Sequence, residues 1–230
     1  MIKIFNKIIS IIKEEEFKLD KNLSSSYLFF FLLNKFISYI RFIYKFKTFK
    51  LGFLGKRSPI LASHLIKLNK NLSIADDCHI DALSRDGIIF GNNVSIQKRI
   101  IIECSGTIKN LGKGLVLGNN VGIGSNSFLG CAGGIEIGND TIIGNCVSFH
   151  SENHNYEKED IPIRLQGVNH KGIIIGKNCW IGAKVTILDG TNLGDGCIVA
   201  AGAVLNGKSY SANSIVGGVP AKKIRSRLEI

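Results

Sequence analysis

Residues 175–205 decide the fold: they read IGKNCW, IGAKVT, ILDGTN, LGDGCI and VAAGAV, followed by Leu205. Aliphatic side chains recur every six positions in this stretch, at Ile175, Ile181, Ile187, Leu193, Val199 and Leu205. Four residues after each of the first five comes a small or slim residue, namely Cys179, Val185, Thr191, Cys197 or Ala203. A period of six fits neither a helix face nor a plain strand. It indicates a coil with three flat sides, each side a short strand and a turn.

The same register occurs further upstream. It reads LGNNVG and IGSNSF from Leu117, IGNDTI and IGNCVS from Ile137, FGNNVS from Phe90, and IADDCH from Ile74. Three hexads make one coil of about 18 residues, so residues 74–205 predict roughly six coils of stacked parallel strand. An ordinary β-sandwich with coincidental spacing is the alternative, and five uninterrupted matches argue against it.

Length and composition bound the class of protein. The 230 residues suit one main core, and 45% hydrophobic content with 26 Gly and only 3 Pro excludes a disordered or collagen-like chain. Six cysteines are present, but none forms a C-x-x-C pair. We therefore expect reduced, small core residues and neither a zinc knuckle nor a thioredoxin-type site.

The positive charge is concentrated in one segment. The net charge is +11, and residues 21–75 contain ten basic side chains and no acid, interleaved with many aromatics. Such a mixture suits an anionic interface. The longest charge-free stretch of this segment, residues 22–34, has 13 residues, whereas a membrane-spanning helix needs about 20 apolar residues.

Residues 1–73 are therefore predicted to form a helical, basic and aromatic extension. It either makes a peripheral contact with an anionic membrane through residues 21–57, or packs on the first coils. Residues 8–12 form the only apolar cluster at the extreme N-terminus, and no small-residue cleavage site follows. We expect no export signal and a cytoplasmic protein, at the inner face of the membrane if the extension docks there.

The hexads, the segment IGKNCWIG at 175–182 and the C-terminal IVGGVPAKKIRSR at 215–227 together resemble the hexapeptide-repeat acyltransferases. The resemblance covers about residues 74–225 and is greatest to the sugar and polysaccharide O-acetyltransferases, such as the maltose, galactoside, capsule and O-antigen enzymes. It implies an all-β main domain, a left-handed parallel β-helix, over residues 74–230. It also implies a homotrimer with acyl-donor sites in the grooves between neighbouring subunits.

The hexad register breaks after Phe149 and resumes near Ile173, leaving a loop at 150–172 that carries three of the five histidines. A neutral imidazole can take a proton from a hydroxyl near pH 7. In the resembled enzymes, a loop histidine before the I-G-x-N-x-W-I-G segment is the general base, and His154 aligns with it without a gap. By proximity, His150 could line the site and Glu152 could orient His154. A solvated loop histidine remains the alternative reading.

The resemblance implies acetyl-CoA as the acyl donor. The amide nearest Ala183 would face the acyl oxygen as an oxyanion hole, with small residues beneath the pantetheine arm and cations at the phosphates. The implied donor residues are Gly182, Ala183, Ala201, Gly202, Lys222, Lys223 and Arg225. A solubilising tail is the alternative for the three cations.

The acceptor side is less defined by the sequence. In the resembled enzymes, a tryptophan at the position of Trp180 packs beside the groove and the substrate, so the resemblance implies the same role for Trp180. Asn126 could match an asparagine that contacts the acceptor sugar in those enzymes. The acidic contact of simple-sugar acetyltransferases is not visible, because CAGG occupies residues 131–134. The acceptor is therefore expected to differ from the sugars of those enzymes.

Taken with the resemblance, these residues indicate direct acetyl transfer to a hydroxyl of a sugar in a cell-surface polysaccharide or its precursor, without a metal or a covalent enzyme intermediate. N-acetylation of a nucleotide amino sugar, acetylation of an antibiotic and a non-catalytic β-helix scaffold remain alternatives. The chain has no P-loop and no recognised nucleic-acid module, so the expected partner is a sugar or glycan rather than nucleic acid.

Overall fold

The computed structural model describes residues 10, 16 and 18–229, and its main body is a coil of short parallel strands around a three-sided core. One long helix, α1 (Ser25–Phe46), precedes the coil. The first sheet contains β1 (Gly52–Leu54), β4 (Leu72–Ile74), β7 (Ser95–Ile96), β10 (Gly122–Ile123), β13 (Ile142–Ile143), β18 (Trp180–Ile181), β21 (Ile198–Val199), β24 (Ser214–Gly218) and β25 (Ala221–Ser226).

Two further sheets complete the prism. The second sheet contains β2 (Ile60–Leu61), β5 (His79–Asp81), β8 (Ile101–Glu103), β11 (Phe128–Gly130), β14 (Ser148–His150), β19 (Thr186–Leu188) and β22 (Val204–Leu205). The third sheet contains β3 (Ile66–Leu68), β6 (Ile88–Phe90), β9 (Leu115–Leu117), β12 (Ile135–Ile137), β17 (Ile173–Ile175), β20 (Asn192–Leu193) and β23 (Ser209–Tyr210). A separate hairpin pairs β15 (Asn153–His154) with β16 (Val168–Asn169).

The chain visits the three sheets in turn, and one such circuit is called a coil here. Coil 1 begins with β1, coil 5 with β13, coil 6 with β18 and coil 7 with β21, while β24 starts an eighth. Corner 1 connects the first sheet to the second, corner 2 the second to the third, and corner 3 the third back to the first. Neighbouring coils are parallel and about 4.8 Å apart, as the hexad period predicts.

The coil begins earlier than the sequence boundary at residues 73 and 74. Strand β1 pairs in parallel with β4, from Gly52 opposite Leu72 to Leu54 opposite Ile74, so seven full coils are present rather than roughly six. The inward residues of coil 1, Leu54, Ile60 and Ile66, are in fact six apart, and Leu72 at the start of coil 2 follows after another six. This signal was missed because the turns of coil 1 lack most of the glycine and asparagine letters that mark the later hexads.

The hexad positions form the core. All six aliphatic side chains of residues 175–205 are at most 2% exposed, and so are the five small residues that follow them. Removing such a side chain from water stabilises the fold by about 1.5 to 3 kcal/mol. The stack of coils is therefore held together by one large and one small inward residue on each side.

An amide ladder runs along corner 3. Asn71, Asn93, Asn120 and Asp140 all have a φ of 58° or 59°, a left-handed conformation that asparagine and aspartate tolerate. Each Nδ2 donates to the next side chain up the coil, at 3.0 Å, 3.0 Å and 2.7 Å. The side-chain amides of these turn residues thus form hydrogen bonds with one another from coil to coil.

The cysteines behave as core residues with one exception. All six are free; five are buried and Cys146 is exposed. Burial raises the pKa of Cys179 to about 11, so this thiol stays protonated at neutral pH.

Helix α1 covers the open end of coil 1. The Ser24 hydroxyl accepts from Tyr27 N–H at 3.2 Å and caps its N-terminus. Phe42 is fully buried, and its ring occupies the space that a side chain on Gly52 would need. Arg41 Nε donates to the Leu54 carbonyl at 2.9 Å. The predicted extension is thus helical over residues 25–46, whereas residues 1–9, 11–15 and 17 lie outside the described residues.

Replacing Phe42 with Ala should detach α1 from the coil, because a buried aromatic lost from a packed site costs about 3 to 5 kcal/mol. Limited proteolysis of the segment around residues 18–50 measures this detachment. Tyr44→Ala is the matched control, since Tyr44 lies on the same helix but is 87% exposed. Equal cleavage rates for the two variants would contradict this packing.

Candidate active site

A long loop leaves the coil at corner 2 of coil 5. Strand β14 ends at His150 and β17 begins at Ile173, and between them His154 pairs with Val168 in the β15–β16 hairpin. His154 is exposed. The hairpin fixes the backbone of this histidine while its imidazole remains open to a substrate.

Asp189 clamps both ends of this loop. Its buried carboxylate accepts from the Lys171 and Gly172 N–H groups, at 2.8 Å and 2.7 Å to Oδ1. Its Oδ2 accepts from Asn153 Nδ2 at 3.2 Å, next to His154. Asp189 is not among the residues predicted from the sequence; its signal is an acid two positions after the inward Ile187, on the same face of the chain.

The loop is also held by its own amides. Gln166 Nε2 donates to the carbonyls of Lys158 and Ile161, both at 2.7 Å. Asn155 Nδ2 donates to the Gln166 carbonyl at 3.0 Å. These bonds order the outer part of the loop independently of the coil.

The other predicted loop residues are not joined to His154. His150 is exposed at the end of β14, with its ring 5.5 Å from that of Phe128. Within residues 18–229, no hydrogen bond or ion pair connects Glu152 with His154. Glu152 instead lies beside Gly106, with its Oε1 4.0 Å from where a Cβ on that glycine would be.

Gly106 belongs to a second excursion that the sequence analysis missed. Residues 104–114 connect β8 to β9 at the same corner 2, two coils below the histidine loop. Ser105 anchors this excursion, since its Oγ donates to the Leu83 carbonyl at 2.6 Å and accepts from Gly112 N–H at 2.8 Å. Its exposed tip carries Ile108. The absence of any hexad match in these residues was the available signal.

Ala183 lies at corner 1 of coil 6 and carries an unpaired amide. In two other coils, a side chain from the next coil caps the corresponding N–H of this corner: Asp76 Oδ1 accepts from Lys56 at 2.7 Å and Asn145 Oδ1 accepts from Ser125 at 2.9 Å. The residue above Ala183 is Ala201, which has no acceptor. Ala183 N–H consequently has no partner among the described residues, and Ala183 is exposed. This leaves a preorganised donor at the surface.

Glycines bring the backbones close at this corner. A Cβ on Gly182 would lie 2.6 Å from Ala201 N, so only glycine fits there. Gly202 has a φ of +73°, and its N–H donates to the Ala183 carbonyl at 2.9 Å. Ala201 and Gly202 are exposed and present a flat backbone edge.

The C-terminal hairpin lies directly above this edge. Strands β24 and β25 are antiparallel, with Gly217 opposite Lys222 and Val216 opposite Lys223. Both lysines are exposed, and in the described part of the chain neither forms an ion pair. Arg225 is exposed too, and its Nη1 donates to the Ser226 carbonyl at 3.2 Å. Corner 1 thus combines a free amide, a flat edge and nearby cations.

Trp180 and Asn126 flank this corner differently. Trp180 projects from the first sheet, 54% exposed and in register with Ile142 below and Ile198 above, which makes an outward apolar stripe. Asn126 lies at corner 1 two coils below Ala183. Its Oδ1 accepts from Arg99 Nε at 2.7 Å, and its φ of 61° is the left-handed conformation of a turn residue.

The structure therefore divides the predicted site between two corners. Ala183 and the other predicted donor residues lie at corner 1 of coils 6 and 7 or in the C-terminal hairpin above them. His154 belongs to the loop that leaves the coil at corner 2 of coil 5. The second sheet separates the two corners. The histidine loop and the corner of Ala183 therefore lie at opposite ends of the strands of the second sheet.

Residues 172–206 match the sequence profile of a family described as "Hexapeptide repeat of succinyl-transferase". The chain is 31% identical to the putative lipopolysaccharide biosynthesis O-acetyl transferase WbbJ of Escherichia coli (strain K12) over 167 residues, which are 70% of this chain and 71% of that protein.

Two solved structures share the fold. One is a mutant of AntD, an N-acyltransferase from Bacillus cereus in complex with dTDP and coenzyme A, with a TM-score of 0.56, 22% identity and coverage of 80% of this chain and 87% of that one. The other is the hexapeptide-repeat acetyltransferase VCA0836 from Vibrio cholerae with acetyl coenzyme A, with a TM-score of 0.51, 26% identity and coverage of 60% and 69%.

Replacing Asp189 with Ala should loosen the histidine loop, because three N–H groups lose a charged acceptor, and a hydrogen bond to a charged group contributes about 1.5 to 3 kcal/mol. Tryptic cleavage at Lys158 and Arg164, followed by mass spectrometry, should accelerate roughly tenfold or more. Asp195→Ala is the control, since Asp195 Oδ1 likewise accepts from Lys177 N–H but away from the loop. Unchanged cleavage in the Asp189 variant would show that the clamp does not hold the loop.

Proposed function

The chain belongs to the hexapeptide-repeat acyltransferases, whose left-handed parallel β-helix it shares, and from that premise we propose that it transfers an acetyl group from acetyl-CoA to a hydroxyl of a sugar in a cell-surface polysaccharide or its precursor. The relative WbbJ, named as a lipopolysaccharide O-acetyl transferase, supports this acceptor class. Six free cysteines agree with the reducing cytoplasm as the proposed compartment.

One observation carries the proposal: the amide of Ala183 is exposed and unpaired beside a backbone edge of small residues. An acyl donor suits this arrangement. The Ala183 N–H would bind the thioester oxygen, Gly182, Ala201 and Gly202 would let the pantetheine arm approach the backbone, and the C-terminal cations would pair with phosphates. Lys222 and Lys223 have no competing ion pair in residues 18–229.

The proposed active unit is a homotrimer with each site shared by two copies. A threefold axis parallel to the coil axis keeps every residue at its own height. The loop of His154 starts from coil 5, and its Asn153 is hydrogen-bonded to Asp189 of coil 6, the coil that carries Ala183, so the loop lies beside that coil. Corner 2 of one copy can then face corner 1 of its neighbour. The apolar stripe at Trp180 would border that groove.

In the proposed reaction, His154 accepts the proton of the acceptor hydroxyl as the sugar oxygen attacks the thioester carbon. The Ala183 amide stabilises the negative charge that develops on the carbonyl oxygen. Collapse of the tetrahedral intermediate breaks the carbon–sulfur bond, and the protonated imidazole returns its proton to the departing thiolate. The products are an acetylated sugar and free coenzyme A.

An amine acceptor, as on a nucleotide amino sugar, would use the same base and donor site. Trp180 and the excursion at residues 104–114 border the acceptor side in this proposal, and neither distinguishes a hydroxyl from an amine. An acceptor panel that includes both classes, read by acetyl-CoA-dependent thiol release, separates the two functions.

His154→Ala should lower kcat by about 10² to 10⁴, the usual contribution of a positioned general base. Thiol release with each acceptor of the panel provides the measurement. His170→Ala is the matched control, because His170 is another exposed histidine of the same loop. Near-normal turnover in the His154 variant, or an equal loss in both variants, would refute the assigned base.

Ala201→Asn should cap the Ala183 amide in the way that Asn145 caps Ser125. Loss of one oxyanion-hole donor lowers kcat by about 10² to 10³. Ala201→Leu has a similar shape without an acceptor and reports any steric effect on acetyl-CoA binding. Ala212→Asn supplies the same cap to Asp195, an amide outside the site, and should leave turnover unchanged. Equal kcat values for Ala201→Asn and Ala201→Leu would contradict the role of the free amide.

A further inference from the structure

Helix α1 carries an uncovered apolar stripe on the side away from the coil. Its members are spaced i, i+4, i+7, i+8, i+11 and i+15, which places them on one helix face. They are Phe29, Leu33, Phe36, Ile37, Ile40 and Tyr44, each between 41% and 87% exposed. This set is called the outer stripe below.

The opposite face of the helix is already occupied. Leu28 and Phe42 are buried, and Lys35 Nζ lies 4.4 Å from the centroid of the Phe53 ring. Burial lowers the pKa of Lys35. Packing on the coil therefore accounts for one apolar face of α1 and leaves the outer stripe without a role in the fold. A contiguous exposed patch of this kind marks an interaction site.

The segment that contains the outer stripe carries cations and no acids: residues 21–75 contain ten Lys or Arg and no Asp or Glu. Lys45 lies on the helix itself and Lys47 follows it directly. Arg41 and Lys50, by contrast, donate to the carbonyls of Leu54 and Leu68. Aromatic and aliphatic side chains bordered by cations match the boundary between acyl chains and anionic headgroups.

We propose that α1 lies in the plane of an anionic lipid bilayer, with the outer stripe inserted at the headgroup boundary and the flanking cations on the headgroups. This surface goes beyond the proposed acetyl transfer and does not depend on it. It would hold the coil against a membrane, where a lipid-linked glycan would be within reach.

The fold favours an in-plane helix over a membrane-spanning one. By length and composition alone, the 22 residues of α1 would suffice to cross a bilayer. However, Arg41 Nε donates to the Leu54 carbonyl at 2.9 Å, and the Phe42 ring packs on Gly52. These contacts bind the C-terminal half of α1 along coil 1, so a crossing helix would have to give them up.

Charge also favours lipid over a second copy of the chain as the occupant. Two copies that met through the outer stripe would bring together two segments of ten cations each, of which only Arg57 is ion-paired within the described residues, to Asp77. Like charges at a rim oppose association, whereas an anionic leaflet contributes attraction of about 1 kcal/mol for each cation near its surface.

The test is co-sedimentation of the full-length chain with vesicles of phosphatidylcholine alone or mixed with phosphatidylglycerol. We expect binding to the mixed vesicles that weakens as salt is raised, and little binding to the neutral ones. Absence of binding to the mixed vesicles would overturn the proposal. Thiol release is measured on the same preparation, so a failure of the membrane surface is distinguished from a failure of the proposed reaction.

Phe36→Ser with Ile40→Ser should reduce binding to the mixed vesicles roughly tenfold or more, because two apolar anchors are lost. Leu61→Ser with Ile108→Ser removes two exposed aliphatic side chains away from α1 and should leave binding intact. Light scattering gives the oligomeric state of each protein. Undiminished vesicle binding, or dissociation of an oligomer by the stripe variant, would show that the stripe contacts something other than lipid.

Discussion

The stacking of one large and one small inward residue on each side of the coil is the constraint on which the rest of the structure depends. Because these positions are at most 2% exposed in residues 175–205, each coil is fixed in height and rotation relative to the next. Corners then become columns of equivalent residues. The free amide of Ala183 and the histidine loop are each a departure from that repetition at one corner.

The proposed donor site arises where the capping pattern between coils is interrupted. At corner 1, Asp76 and Asn145 satisfy the turn amides of Lys56 and Ser125, whereas Ala201 has no acceptor side chain and leaves the amide of Ala183 free beside the small residues Gly182 and Gly202. The chain gives up one hydrogen bond, worth about 0.5 to 1.5 kcal/mol, at this position. Asp189 does the opposite at corner 2, where a buried carboxylate adds bonds that hold the histidine loop.

The period of six was sufficient to predict the parallel β-helix, because core packing imposes it directly on the sequence. It did not reveal where the coil starts, since Leu54, Ile60 and Ile66 keep the period without the usual turn residues. The excursion at residues 104–114 and the role of Asp189 were also missed, because their contacts join neighbouring coils between residues that are 17 to 36 positions apart in the sequence. Likewise, only the stacked coils show that His154 and Ala183 lie at different corners, which the linear order does not encode.

The central claim is that His154 of one copy acts with Ala183 of its neighbour, and subunit complementation tests it most directly. His154→Ala and Ala201→Asn chains, each inactive alone, would be unfolded together and refolded as mixed trimers. A working site needs the histidine of an Ala201→Asn chain and the amide of a neighbouring His154→Ala chain. In random trimers from equal amounts of the two chains, about a quarter of the sites have this pairing, so about a quarter of the wild-type turnover should return. Mixed trimers that remain as inactive as either parent would contradict a site shared between copies.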